Sequence, residues 1–272
     1  MLLPATVDEC YSMSMDAFDL AERMQTLVFV MSDLDIGMNT WMSQPFQYPE
    51  TTPDRGKLLS QQTLAKVNNE WGRYMDIDED GIPYRSIPGD GMPASFTRGS
   101  GHNARGQYSE RPDDYVNNLD RLGRKFETAK KFVPKPVVQD GAAKVGIIAY
   151  GSSHFAVEEC RDQLREEAGI AAAYLRLRAY PFTDEVTAFI QRYERIYVVE
   201  QNRDGQMLTL LRMDFDPALT AKLRSVRHYN GLPIDARSIT DEILAQEGVG
   251  APAAVGSSPV EQGFRATVTR ED

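Results

Sequence analysis

The chain has 272 residues, 42% of them hydrophobic, with a mean hydropathy of -0.43 and a net charge of -10. That length holds one large domain or two small ones with real cores, and an acidic surface repels phosphate backbones, which argues against nucleic acid as a partner. No stretch approaches the ~20 apolar residues that span a bilayer, and Met1-Leu2-Leu3-Pro4 carries no basic region ahead of an apolar one, so the expectation is a cytoplasmic protein with no membrane partner.

In chain order, residues 7–24 read as a helix, with Val7, Tyr11, Ala17, Phe18, Leu20, Ala21 and Met24 at helical spacing. Thr6 is placed to cap it, and Glu9 three residues on completes a capping-box pattern. Thr26 to Met31 follows as a continuous apolar run, the pattern of a buried strand. A lone strand leaves its backbone groups unpaired, so this unit is expected to be the end of a larger sheet.

Residues 43–111 hold six prolines (Pro45, Pro49, Pro53, Pro83, Pro88, Pro93) and eight of the 20 glycines. Such composition breaks regular structure. The aromatics scattered through it point to an ordered segment packed on something larger. Pro112 then opens a predicted helix over 112–131, with Tyr115, Leu119, Leu122 and Phe126 along one face.

From 144 onward strands and helices alternate. Strands are expected at 145–150, 172–177, 195–199 and 223–228, and helices at 155–168, 183–193, 205–213 and 236–246. This spacing predicts a parallel sheet covered on both faces. The tail, 248–272, is rich in Ala, Gly, Ser and Pro and reads as disordered. Cys10 and Cys160 fall far apart on helical segments and read as buried thiols.

Six strings stand in order: Ser32-Asp-Leu-Asp-Ile-Gly-Met38, Asp80-Gly-Ile-Pro-Tyr-Arg85, Phe96-Thr-Arg-Gly-Ser-Gly-His102, Arg124-Lys-Phe-Glu-Thr128, Ile148-Ala-Tyr-Gly-Ser152 and Val199-Glu-Gln-Asn-Arg-Asp-Gly-Gln-Met207. Together they resemble the C-terminal half of the 2-oxoacid:ferredoxin oxidoreductase α subunit, of the 2-oxoglutarate type. The resemblance covers roughly residues 2–246.

It implies an α/β fold in which residues 1–45 are the terminal α–β unit of a thiamine-diphosphate pyrimidine-binding domain. Residues 46–135 are then an irregular interdomain linker carrying the helix at 112–131. Residues 136–247 form a transketolase-C-terminal-like parallel-sheet domain. The implied reaction is oxidative decarboxylation of a 2-oxoacid with coenzyme A, giving an acyl-CoA, CO2 and reduced ferredoxin. The implied partners are a β subunit, ferredoxin, the 2-oxoacid and coenzyme A. Thiamine diphosphate and Mg2+ are expected on the β subunit and on an N-terminal half that this sequence does not contain, with an iron–sulfur cluster in the partner subunit. Two cysteines cannot supply a four-thiolate cluster, so this chain is expected to bind none of these groups alone and to be inactive alone. The alternative is a non-catalytic α/β interaction module, or an inactive truncated remnant.

No catalytic residue or metal ligand is assigned. Arg98, His102 and Asn103 are the substrate-cleft candidates: glycines around them let the backbone approach a ligand, and an arginine pairs with carboxylate or phosphate. The competing reading is that they tie down an irregular loop. Arg85 and Arg105 are weaker candidates of the same kind. Glu200, Asn202 and Arg203, at a strand end before a helix, are candidates for an interface or the cleft. Gly151-Ser-Ser153 joins a strand to a helix whose N–H groups suit an anion or a Ser cap. Gly89-Asp-Gly91 with Asn117-Asn118 matches a thiamine-diphosphate signature in spacing only, because no helix–strand context surrounds it. Asp33 and Asp35 read as solvated or capping carboxylates, His154 and His228 as structural or surface residues. The Met13, Met15, Met24, Met31, Met38 and Met42 series reads as core packing.

Overall fold

In the computed structural model, which describes residues 1–249, the chain opens with α1 (Val7–Met24). Thr6 accepts a hydrogen bond from Glu9 N, as the capping pattern predicts. The Glu9 carboxylate leaves the box. It accepts from Ala5 N at 2.9 Å and from the guanidinium groups of Arg176 and Arg178.

The apolar run at 26–31 is extended but is not a buried strand. Its backbone makes one parallel bridge, Val30 opposite Leu2. Leu27, Phe29 and Met31 are 81%, 62% and 53% exposed. The reason is geometric: among the described residues nothing lies on its outer edge or over that face. Two of the methionines expected in the core share this exposure, Met38 and Met42, whereas Met13 and Met24 are buried.

The next segment contains two short helices, α2 (Leu34–Met38) and α3 (Gln61–Lys66), each capped by the side chain before it, Asp33 and Ser60. Otherwise residues 43–111 are irregular, as their prolines and glycines predict. Irregular backbone still has to be hydrogen-bonded, and that need decides how α4 (Pro112–Ala129) packs.

The expected apolar face of α4 is turned outward: Tyr115, Leu119, Leu122 and Phe126 are exposed. The opposite face is inside, with Arg121 and Lys125 each only 8% exposed. These side chains serve as donors to loop carbonyls. Arg121 donates to Gly81 O at 3.1 Å, Thr128 to Asp80 O at 2.7 Å and Lys125 to Gln25 O at 3.2 Å. Gly81 explains the closeness. Its φ is +81°, and a Cβ there would sit 2.2 Å from Lys125 N, so only glycine fits.

The sheet has strands β1 (Val137–Gln139), β2 (Val145–Tyr150), β3 (Ala172–Leu177), β4 (Arg195–Glu200) and β5 (Leu223–Arg227). Their order is β1-β3-β2-β4-β5, with β2 to β5 parallel and β1 antiparallel at one edge. The helices are α5 (Ser153–Ala168), α6 (Asp184–Arg192), α7 (Gln206–Asp214), α8 (Pro217–Thr220) and α9 (Ala236–Glu247). Helices α5 and α9 cover one face over Ile147, Tyr174 and Tyr197. On the other, α6 and α7 pack over Ile148, Leu175 and Val198, joined by Leu3. Burial on both faces is why these strands are apolar without alternation. The elements expected from residue 144 onward are all present; β1 and α8 are additions, too short for a clear period.

Gly248, in the left-handed conformation, ends α9, and Val249 N donates to Leu244 O. The rest of the tail expected to be disordered lies outside the described residues.

Candidate functional site

In a doubly wound sheet, ligand crevices form where the strand order reverses. Here β2 is flanked by β3 on one side and β4 on the other, so the reversal lies between the C-terminal ends of β2 and β4. Two loops meet there, Gly151–Ser153 and Glu200–Gly205.

The anion place at the start of α5 is filled from within the chain. Asp33 Oδ2 accepts from Ser152 N at 3.1 Å, while its Oδ1 accepts from Ile36 N at the start of α2. One carboxylate thus joins two helix starts, where backbone N–H groups favour negative charge. Asp33 was expected to solvate or cap; it caps. Ser152 makes no capping bond with its side chain. Trp41 stacks on Phe155 of α5 at 5.1 Å, so the strip from Asp33 to Trp41 is laid against the reversal point.

Glu200 is fully buried at the end of β4 and accepts from Met207 N at 2.8 Å, Leu208 N at 3.2 Å and Asn202 Nδ2 at 2.7 Å. It is the charged cap of α7. Asn202 Oδ1 accepts from Gln206 N, which holds the turn at its other side. Gln201 Nε2 reaches across to the hydroxyls of Ser152 and Ser153 at 3.0 and 3.2 Å, closing the two loops on each other. The phenol of Tyr150 lies close by, its pKa pushed up to about 12 by burial and by the Glu200 charge. Arg203 turns away, exposed and paired with Asp204. Glu200 and Asn202 therefore act together, and Arg203 does not join them.

The second group lies in the irregular segment. Arg98 Nε donates to Gly106 O at 3.0 Å, and its backbone N–H donates to the Tyr74 hydroxyl at 2.9 Å. His102 stacks on Tyr74 with centroids 3.8 Å apart. Its Nδ1 donates to Asn103 O at 3.1 Å, which leaves Nε2 as an acceptor. Asn103 Oδ1 accepts from Arg105 N and Gln107 N, and Asn118 Nδ2 donates to His102 O. Gly101, His102, Tyr108, Pro112 and Tyr115 line a cavity of about 520 Å3 beside this loop. Among the described residues no hydrogen bond or ion pair links this loop to Glu200 or Asn202. Arg85 pairs with Glu22, and Arg105 with Glu70.

The spacing match at Gly89-Asp-Gly91 and Asn117-Asn118 has no common site. Asp90 accepts from Ile87 N and Met92 N of its own turn, and Asn118 is spent on His102 O. His154 packs on Tyr174, and His228 bonds Leu232 O, both as structural groups. Cys160 is buried and Cys10 half-buried. Sequence reasoning missed Tyr74, Tyr150 and Gln201. A lone tyrosine or glutamine carries no local signal, since its role depends on a loop distant in sequence.

No protein-family model matches the chain. It is 29% identical over 212 residues to the 2-oxoglutarate synthase subunit KorA of Methanothermobacter thermautotrophicus, covering 76% of this chain and 53% of that protein. It is equally identical, over 212 residues, to subunit alpha of the 2-oxoacid:ferredoxin oxidoreductase 2 of Aeropyrum pernix, covering 75% of this chain and 32% of the relative. Over about three quarters of its length the chain is thus similar to 2-oxoglutarate synthase KorA and 2-oxoacid:ferredoxin oxidoreductase α subunits. It spans about half the length of the KorA subunit it matches. A solved 2-oxoglutarate:ferredoxin oxidoreductase from Magnetococcus marinus, with 2-oxoglutarate, coenzyme A and succinyl-CoA bound, shares the fold. The TM-score is 0.75 and the identity 24%, over 91% of this chain and 42% of that one. The resemblance drawn from the six strings and the expected α/β fold are borne out. No helix among the described residues is long and apolar enough to cross a membrane.

Proposed function

We propose that the chain works as part of the α subunit of a 2-oxoacid:ferredoxin oxidoreductase, with 2-oxoglutarate as the oxoacid. The complex would convert 2-oxoglutarate and coenzyme A to succinyl-CoA and CO2, its electrons leaving to ferredoxin. The observation that carries this reading is the likeness to KorA subunits across three quarters of the chain. In this reading residues 1–45 end a pyrimidine-binding domain, 46–135 link it to the sheet domain, and 136–247 form that domain.

Thiamine diphosphate supplies the carbanion chemistry when bound. It, Mg2+ and the iron–sulfur cluster belong in this reading to the β subunit and to the half of the α subunit that this chain does not span. The described residues bring no group of three or more His, Cys, Asp or Glu side chains within reach of a metal ion. What this chain contributes is positioning. Among the described residues only Nε of the Arg98 side chain is hydrogen-bonded, so its terminal N–H groups can pair with a carboxylate of the oxoacid. His102 Nε2 and Asn103 stand beside it. Glu200 and Asn202 set the turn at the sheet's reversal point, and Arg203 on the outside of that turn faces a neighbouring subunit.

The test is reconstitution with the β subunit, with and without a polypeptide supplying the unspanned half, and assay of 2-oxoglutarate-dependent ferredoxin reduction with coenzyme A. Activity is expected only when that half is present. In the active mixture Arg98→Ala should lower kcat/KM by about 10- to 100-fold, the loss of one charge-assisted contact. An unchanged kcat/KM removes Arg98 from the cleft. A stable complex without turnover favours the interaction-module alternative.

A further inference from the structure

Tyr74 meets the loop of residues 98–106 at three places. Its backbone N–H donates to Ala104 O at 2.9 Å. Its hydroxyl donates to Arg98 O at 3.2 Å and accepts from Arg98 N at 2.9 Å. Its ring stacks on the His102 imidazole, with centroids 3.8 Å apart and planes 19° apart. Gly72 lets the backbone before Tyr74 lie this close to the loop, since a Cβ there would stand 2.6 Å from Ala104 O.

The side chain of Tyr74 thus reaches the two residues that carry the cleft reading, Arg98 and His102. Both hang from irregular backbone, and groups that bind a substrate work only when held in place: a misplacement of about 1 Å can cost about 100-fold in rate. Arg98 is pinned at its backbone by the Tyr74 hydroxyl and along its side chain by Gly106 O. The plane of His102 is set by the Tyr74 ring, its Nδ1 by Asn103 O and its backbone by Asn118 Nδ2 of α4. His102 also lines the cavity of about 520 Å3 with Tyr108 and Tyr115. Tyr74 is itself held. The guanidinium of Arg121, a buried residue of α4, lies 5.7 Å from the centroid of its ring and that of Arg73 lies 5.3 Å away, where a cation is attracted to an aromatic ring.

We propose that Tyr74 is the positioning residue of the candidate cleft: its hydroxyl fixes where Arg98 stands and its ring fixes how His102 is turned, so that both are set before the 2-oxoacid arrives. The inference rests on the reading of Arg98 as a carboxylate-binding residue. Tyr74 acts through Arg98 and His102 and touches no reacting atom. Its two contacts are separable. Phenylalanine at position 74 keeps the ring under His102 and loses the hydroxyl on Arg98, whereas leucine loses both.

The test compares Tyr74→Phe and Tyr74→Leu in the assembled complex, each with Arg98 present and with Arg98→Ala, and follows kcat and KM for 2-oxoglutarate. In a mixture that does not turn over, calorimetric binding of 2-oxoglutarate replaces KM with the same expected ratios. Nitrogen NMR of the full chain reads the His102 tautomer in the same variants. Tyr74→Phe should raise KM about 5-fold, the worth of one neutral hydrogen bond, and leave kcat within about 2-fold. With Arg98→Ala in place the same change should raise KM by less than about 1.5-fold, because its effect runs through Arg98. The Nδ1–H tautomer of His102 should persist in Tyr74→Phe and give way to a mixture in Tyr74→Leu. A KM effect of equal size with and without Arg98, the mark of a general loosening of the fold, would overturn the proposal. So would a His102 signal in Tyr74→Leu that matches the wild type. If Arg98→Ala alone leaves KM and kcat unchanged, the cleft reading falls and takes this inference with it. If Arg98→Ala impairs the complex and Tyr74→Phe does not, only this inference falls.

Discussion

Lys125 shows how one residue carries a cost that the local pattern does not reveal. Burial first, and then the charges of Arg121 and Arg73, together lower its pKa to about 8. From the ordinary value of 10.5, that corresponds to about 3 kcal/mol against the charged form. The cost is present in full below pH 8. It is relieved as pH rises from about 8 towards 10.5, where the unfolded chain still binds the proton and the folded one does not. Lys125→Met should therefore gain on the wild type at pH 7 and lose about 2 kcal/mol of that relative advantage by pH 10. Denaturant unfolding of both proteins at the two pH values measures this. A difference that does not move with pH would mean that Lys125 is better solvated than its 8% exposure implies.

At the scale of the element, α4 is the instructive case. Its heptad-like spacing predicts a core-facing apolar stripe, and the stripe faces solvent. The polar side was drawn in because the segment at 76–82 presents carbonyl oxygens that only side-chain donors reach. An exposed stripe contributes little to folding, so Leu119→Glu should change stability by no more than about 0.5 kcal/mol. It should also reduce self-association of the free chain, seen by light scattering. A loss of about 2 kcal/mol or more would mean that Leu119 is packed within the monomer. The apolar run at 26–31 errs in the same sense: among the described residues nothing covers the Leu27, Phe29 and Met31 side chains.

At the scale of the whole molecule, Glu9 ties the first helix to the sheet domain. Its carboxylate receives Arg176 of β3 at 2.6 and 3.0 Å and Arg178 at 2.9 Å. Burial alone would raise its pKa, but the bonds from Arg176 and Ala5 N and the two arginine charges outweigh it, so the pKa is lowered. A lowered carboxylate adds stability above its unfolded value, near 4.5, and loses it as pH falls further. Glu9→Gln leaves the buried Arg176 without its counter-charge and should cost about 3 kcal/mol at pH 7. The deficit relative to wild type should shrink below pH 4. A deficit that stays constant through acid would assign the effect to packing rather than to the ion pair.

The amino-acid sequence by itself determined the local features: α1 and its Thr6 cap, the irregular 43–111 segment, the strand–helix alternation after 144, and the family likeness carried by the six strings. Those depend on short-range periodicity, proline and glycine, and capping, which are written in neighbouring residues. Only the tertiary structure decided which face of α4 is inside, that Asp33 fills the helix start beside Ser152, that Glu200 caps α7, and that the edge at 27–31 is open. Each of these joins groups far apart in sequence, or depends on what fails to cover them. Hydrogen-bond satisfaction and burial act through space, so a one-dimensional pattern cannot fix their outcome.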